Sequence, residues 1–137
     1  MTLTEFLEAR IAEDVASAVA ATLGPWRYDP SKVNAVDRGE AVFAGEGGAS
    51  AVTVASTGPA DDQQSMSDAA HITRFNPARI LAECEAKRKI VADRDRIDRS
   101  ADGDEWSMGY SDANYGAMHA LAVIYADHPD YQPEWRP

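Results

Sequence analysis

The sequence predicts an α+β fold: a small antiparallel β-meander packed against two long helices, plus a C-terminal helix. Three observations carry this prediction. Apolar residues recur at helical spacing from Leu3 to Leu23 and stop at Gly24-Pro25. Residues 26–56 switch to short β-prone runs separated by turn-forming residues. Residues 67–99 then hold the longest uninterrupted helical pattern of the chain.

The first helix is expected over residues 2–23. It opens with a capping box, Thr2 as N-cap and Glu5 three residues on, which satisfies two otherwise orphaned donors. Leu3, Phe6, Leu7, Ile11, Val15, Ala18 and Thr22 form its stripe, flanked by Val19 and Leu23. Gly24-Pro25 ends it, because proline cannot continue a helix.

The meander is expected over residues 26–56. Trp26 to Tyr28 reads as a short strand. Asn34 to Val36 and Ala41 to Ala44 flank Asp37-Arg38-Gly39, a hairpin loop closed by glycine. Gly45-Glu46-Gly47-Gly48 is a second turn, and Ala51 to Ala55 is the strongest strand. Thr57 to Met66 is polar, contains Gly-Pro and reads as an exposed loop.

The long helical stretch starts twice. Ser67 can cap a first short turn, and Asn76-Pro77 restarts the helix with proline at the position where its missing N–H costs nothing. Ile80, Leu81, Cys84 and Val91 share a face, with Ile90 and Ile97 beside it. Glu83→Lys87 and Glu85→Lys89 are i,i+4 pairs in the favourable direction. Ser100 to Gly109 reads as an acidic loop anchored by Trp106. A last helix from 111 to 126 presents Tyr115, Met118, Leu121, Ala122 and Tyr125, and the tail carries Tyr131 and Trp135.

Composition limits the function. At 137 residues, 45% of them hydrophobic, the chain is expected to form one domain with a substantial core. No apolar run reaches the roughly 20 residues that span a bilayer. No basic segment precedes an apolar one at the start, so a signal peptide is not expected. The single cysteine, Cys84, excludes an internal disulfide and sits on an apolar helix face, where an inert thiol is expected. These features point to the cytoplasm and away from a membrane.

Net charge is −10, from 13 basic and 23 acidic residues. Residues 79–99 hold seven of the basic residues, whereas residues 100–137 hold seven acids against Arg136 alone. A globally acidic chain repels phosphate backbones, which excludes ordinary nucleic-acid binding. The basic helix suits an acidic partner, the chain's own acidic tail, or simply solvent.

Residue types that do chemistry are present without the spacing that chemistry needs. His71, His119 and His128 are the only histidines, and no pair stands at i,i+4 with a carboxylate partner. Asp102, Asp104 and Glu105 cluster like a loose calcium loop but lack its spaced ligands and terminal bidentate glutamate. Cys84 has no partner histidine, no Gly-x-Ser-x-Gly elbow occurs, and Gly45 to Gly48 lacks the lysine of a phosphate loop. No catalytic residue, cofactor or metal is therefore expected.

Met1–Asp14 (MTLTEFLEARIAED), His71–Val91 (HITRFNPARILAECEAKRKIV) and Tyr125–Pro137 (YADHPDYQPEWRP), with Gly24-Pro25-Trp26 as a fourth anchor, resemble a small family of unknown function found in actinobacteria and their phages. A weaker resemblance, over Gly24 to Arg88, is to accessory modules of lambda-like phages. Together they imply a phage or prophage accessory protein with no activity to transfer.

The expected function is non-enzymatic: protein–protein interaction with a host or phage protein, or with a second copy of the chain, modulating a host or anti-phage factor. Arg94, Arg96, Arg99, Tyr110 and Tyr131 are the candidate interface residues. The arginines end the basic helix, and tyrosines are effective interface anchors. Tyr125 and Trp135 are expected to close the core. Two alternatives stand beside this reading. One is an acidic nucleic-acid mimic that occupies a host DNA- or RNA-binding protein; the other is a small enzyme or ligand-binding protein with an unrecognised site.

Overall fold

The computed structural model describes residues 1–30, 39–45, 51–100 and 103–137. Among these, helix α1 (Leu3–Ala20) is followed by strands β1 (Trp26–Arg27), β2 (Glu40–Ala44) and β3 (Val52–Gly58), then by helices α2 (Gln63–Arg74), α3 (Pro77–Arg99) and α4 (Glu105–Ala122). The fold is α+β. The chain groups into two compact units, one of Met1–Val15 with Ala82–Pro137, the other of Ala16–Leu81.

In the unit that holds the termini, the capping box forms as its residue types require. The Thr2 backbone N–H donates to Glu5 Oε2 at 2.7 Å, and the Glu5 N–H donates to Thr2 Oγ1 at 3.2 Å. Leu3, Phe6, Leu7 and Ile11 are buried with Cys84, Val91 and Ile97 of α3 and with Met118, Ala122 and Trp135. The Phe6 ring is the hub of this core. Its centroid lies 4.8 Å from that of Trp135, and the rings of Tyr125 and Tyr131 meet it edge-on at 6.3 and 6.1 Å. Trp135 thus closes the core as expected.

Two polar groups enter the same core with partners. The buried Arg10 guanidinium donates to Glu13 at 2.7 Å and to His128 Nδ1 at 2.8 Å. Tyr125 donates to Asp14 at 2.7 Å, and Lys87 donates to the Tyr125 hydroxyl at 3.0 Å. Burial and the Asp14 carboxylate push the Cys84 thiol up, which keeps it protonated and unreactive.

In the other unit, β1, β2 and β3 form an antiparallel sheet in sequence order. The most buried strand is β2, with Ala41, Val42 and Ala44 in the core, rather than β3, which leaves Val52 exposed. The reason is position: among the described strands β2 is the middle one and β3 is at an edge. The expected strand at Asn34–Val36, the loop residues Asp37 and Arg38, and the turn residues Glu46 to Gly48 lie outside the described residues.

Before Arg74 the element boundaries differ from expectation at three places, each for a local reason. The helix α1 ends at Ala20, and both Val19 and Leu23 are exposed. The Trp26 indole N–H donates to the Thr22 carbonyl at 2.8 Å, taking up one acceptor just past the helix end. The expected loop 57–66 is mostly structured, because β3 continues to Gly58 and α2 starts at Gln63. Asp62 rather than Ser67 is the cap; its carboxylate accepts from the Ser65 N–H at 2.9 Å and from Ser65 Oγ at 2.6 Å. Ser67 lies inside α2 and donates to the Gln63 carbonyl.

The restart at Asn76-Pro77 is as expected: Asn76 Oδ1 accepts from the Arg79 N–H at 3.1 Å, and Pro77 is the first residue of α3. The helix α2 lies on β2 and β3. No helix among the described residues is long and apolar enough to cross a membrane.

Candidate functional site

The helix α4 begins at Glu105, six residues before the predicted start at Ser111. Asp104 makes this possible. Its carboxylate accepts from the Ser107 N–H at 2.6 Å, an N-cap bond that holds its carboxyl below the usual aspartate range. The expected loop 100–109 therefore contributes its second half to a helix, and Trp106 becomes a first-turn helical residue.

That start changes what Trp106 does. Trp106, Tyr110, Asn114, Met118 and Ala122 form one row at four-residue spacing on α4. Such a row winds about the helix by roughly 40° per step, because four residues exceed one turn of 3.6. Asn114, Met118 and Ala122 are buried, and the row then leaves the core. Tyr110 is 40% exposed, Met108 55% and Trp106 78%. The expected anchor is a surface residue, and Ser107 and Ser111 take the half-buried positions of this end of the helix.

Trp106 and Tyr110 stack on one another with an interplanar angle of 6° and centroids 5.9 Å apart. They border a cleft of about 720 Å³ between the end of α3 and the start of α4, which Arg94, Arg96, Ile97 and Met108 also line. The same two rings also line a second hollow, with Asp104, Glu105 and Gly109.

The structure brings three of the five predicted interface residues to this cleft. Arg94 is mostly buried and is held by Asp98 and by Ser111, whose Oγ accepts at 3.0 Å. Arg96 pairs with Asp93 at 2.9 Å and donates to the Tyr110 hydroxyl at 3.2 Å. Tyr110 in turn donates to Asp93 at 3.3 Å. This network steers the phenol without burying its ring. Arg99 turns back to the Asp95 carbonyl of its own helix at 3.1 Å and does not line the cleft. Tyr131 packs on Phe6 and Trp135 and does not line it either.

Sequence reasoning did not single out Trp106 or Met108 as surface residues. The signal was there: an aspartate cap three residues before Ser107, followed by the four-residue row. The other chemistry-bearing residues are dispersed. His71 lies against Phe75, His119 Nδ1 is 2.9 Å from the Trp135 carbonyl, and His128 accepts from Arg10. Among the described residues no three His, Cys, Asp or Glu side chains converge to hold a metal ion, and Asp102 lies outside them.

A family model described as "Family of unknown function (DUF6221)" matches residues 1–137, and the chain belongs to that family. No curated protein and no solved structure matches it.

Proposed function

We propose that this member of DUF6221 is a non-enzymatic accessory protein of phage or prophage type that acts in the host cytoplasm by binding another protein. The observation that carries this reading is the stacked Trp106–Tyr110 pair, exposed at the mouth of a cleft and continuous with a row that is otherwise core. Exposed indole and phenol rings are the typical anchors of protein interfaces. The occupant is a host or phage protein, with a second copy of the chain as the alternative. Neither nucleic acid nor a membrane surface is a direct partner in this reading, given the net charge of −10.

The test is affinity capture from a nuclease-treated actinobacterial lysate with the wild type and Trp106→Ala side by side, read by mass spectrometry. A partner captured by the wild type and lost with Trp106→Ala supports the reading. A partner kept equally by both overturns this face as the site. A nucleic-acid-binding protein released by moderate salt, with no dependence on Trp106, favours acidic mimicry instead.

A further inference from the structure

We infer that the Trp106–Tyr110 face binds a basic, arginine-bearing segment of its partner protein; this rests on the interaction reading above and names the partner's chemistry. The argument starts from the charge around the rings. The two hollows that share Trp106 and Tyr110 are lined by Arg94 and Arg96 against Asp98, Asp104, Glu105 and Asp112. Both arginines are already committed, Arg94 to Asp98 and Ser111, Arg96 to Asp93 and Tyr110. Asp104 is committed to its helix cap. Glu105 and Asp112 are exposed and, among the described residues, form no ion pair or side-chain hydrogen bond. Among the described residues the face therefore offers two unpaired carboxylates, and both cations that line it are paired.

Beside those carboxylates stands an indole that is 78% exposed, stacked on a second aromatic ring. An indole face attracts a cation through its quadrupole, and a guanidinium is favoured over an ammonium because it is planar, weakly hydrated and able to stack. One arginine can lie on Trp106 while a neighbouring basic residue reaches Glu105 or Asp112. An acidic segment or a phosphate backbone would instead meet uncompensated carboxylates, and a wholly apolar segment would leave those carboxylates desolvated.

The probe is a fluorescein-labelled peptide alternating arginine with alanine, read by anisotropy and by quenching of tryptophan emission, with a peptide carrying glutamine for arginine as reference. The arginine peptide is expected to bind the full chain and the glutamine peptide to bind far more weakly. Trp106→Ala should weaken binding by about tenfold, the scale of a partly desolvated cation–π contact. The double substitution Glu105→Gln/Asp112→Asn should weaken it comparably. Glu8→Gln/Glu134→Gln makes the same change in net charge away from this face and should leave affinity unaltered.

Equal binding by the wild type and Trp106→Ala, or an equal loss in the remote double variant, would show diffuse attraction to an acidic protein and overturn the inference. So would a Trp106-dependent dimer in sedimentation that the peptide displaces, since the occupant would then be a second copy. A photo-cross-linker placed at position 109, which lines the second hollow in open space and leaves Trp106 intact, separates the two levels. Cross-linking to a non-basic segment of a partner overturns the inference and leaves the interaction reading standing; no cross-link to any protein overturns both.

Discussion

Tyr28 donates its phenolic hydrogen to the buried carboxylate of Glu40 at 2.7 Å, and the Asp61 backbone N–H donates to the other oxygen of that carboxylate at 3.1 Å. Glu40 is 1% exposed and sits on the central strand β2, so these two donors replace the water it loses. Burial, and then the Glu40 carboxylate, push the Tyr28 phenol from 10.0 up to about 12. Tyr28→Phe should cost about 1–3 kcal/mol by leaving a buried acceptor unpaired, measured by urea unfolding at neutral pH.

The same pair sets an alkaline limit. Between pH 10 and about 12 the unfolded chain releases the Tyr28 proton while the folded chain retains it, so stability falls as pH rises through that window. Wild-type unfolding free energy should drop there more steeply than that of Tyr28→Phe. Parallel curves for the two proteins would disprove the linkage.

At acid pH the helix cap at Asp62 acts in the opposite direction. Its hydrogen bonds from Ser65 hold the carboxyl below its ordinary value of 3.8. Stability is therefore present above that value and is lost as pH falls through the lower folded one. Asp62→Asn keeps a capping acceptor but removes the titration. Its unfolding free energy should fall less between neutral and strongly acid pH than that of the wild type.

Two glycines are required by close approach. Gly58 has φ of +145°, and a Cβ there would run into the Ser65 side chain; Gly39 has φ of +73°, and a Cβ there would run into the Gly58 carbonyl. Gly58→Ala should destabilise the chain by more than about 1 kcal/mol in chemical denaturation, whereas Gly116→Ala, in open space on α4, should be neutral or stabilising.

The tryptophans near the C-terminus should behave oppositely. Trp135, 5% exposed against Phe6, should cost about 3–5 kcal/mol when replaced by alanine. Trp106→Ala should stay within about 0.5 kcal/mol of the wild type, because its ring leaves little surface unexposed. Thermal unfolding of the two variants in parallel distinguishes a core residue from a surface anchor.

Features set by a few neighbouring residues were legible in the sequence: the Thr2–Glu5 box, the Asn76-Pro77 restart, the buried Cys84 and Val91 face of α3, and the tail's return through Trp135. Arg96 and Tyr110 were legible as candidates, though not as partners. The cap at Asp104 was legible in principle but was masked by the acidic, glycine-containing run around it.

The sequence by itself determined the α+β class, the helix starts at the Thr2–Glu5 box and at Asn76-Pro77, and the charge that repels phosphate. Those properties depend on propensity and pattern within one or two turns of chain. Only the tertiary structure decided that Trp135 lies inside and Trp106 outside, that Glu40 is buried beside Tyr28, and that Arg10 meets His128 from 118 residues away. Each of those outcomes is set by where a helix row leaves the core, or by a partner distant in sequence, and local patterning encodes neither.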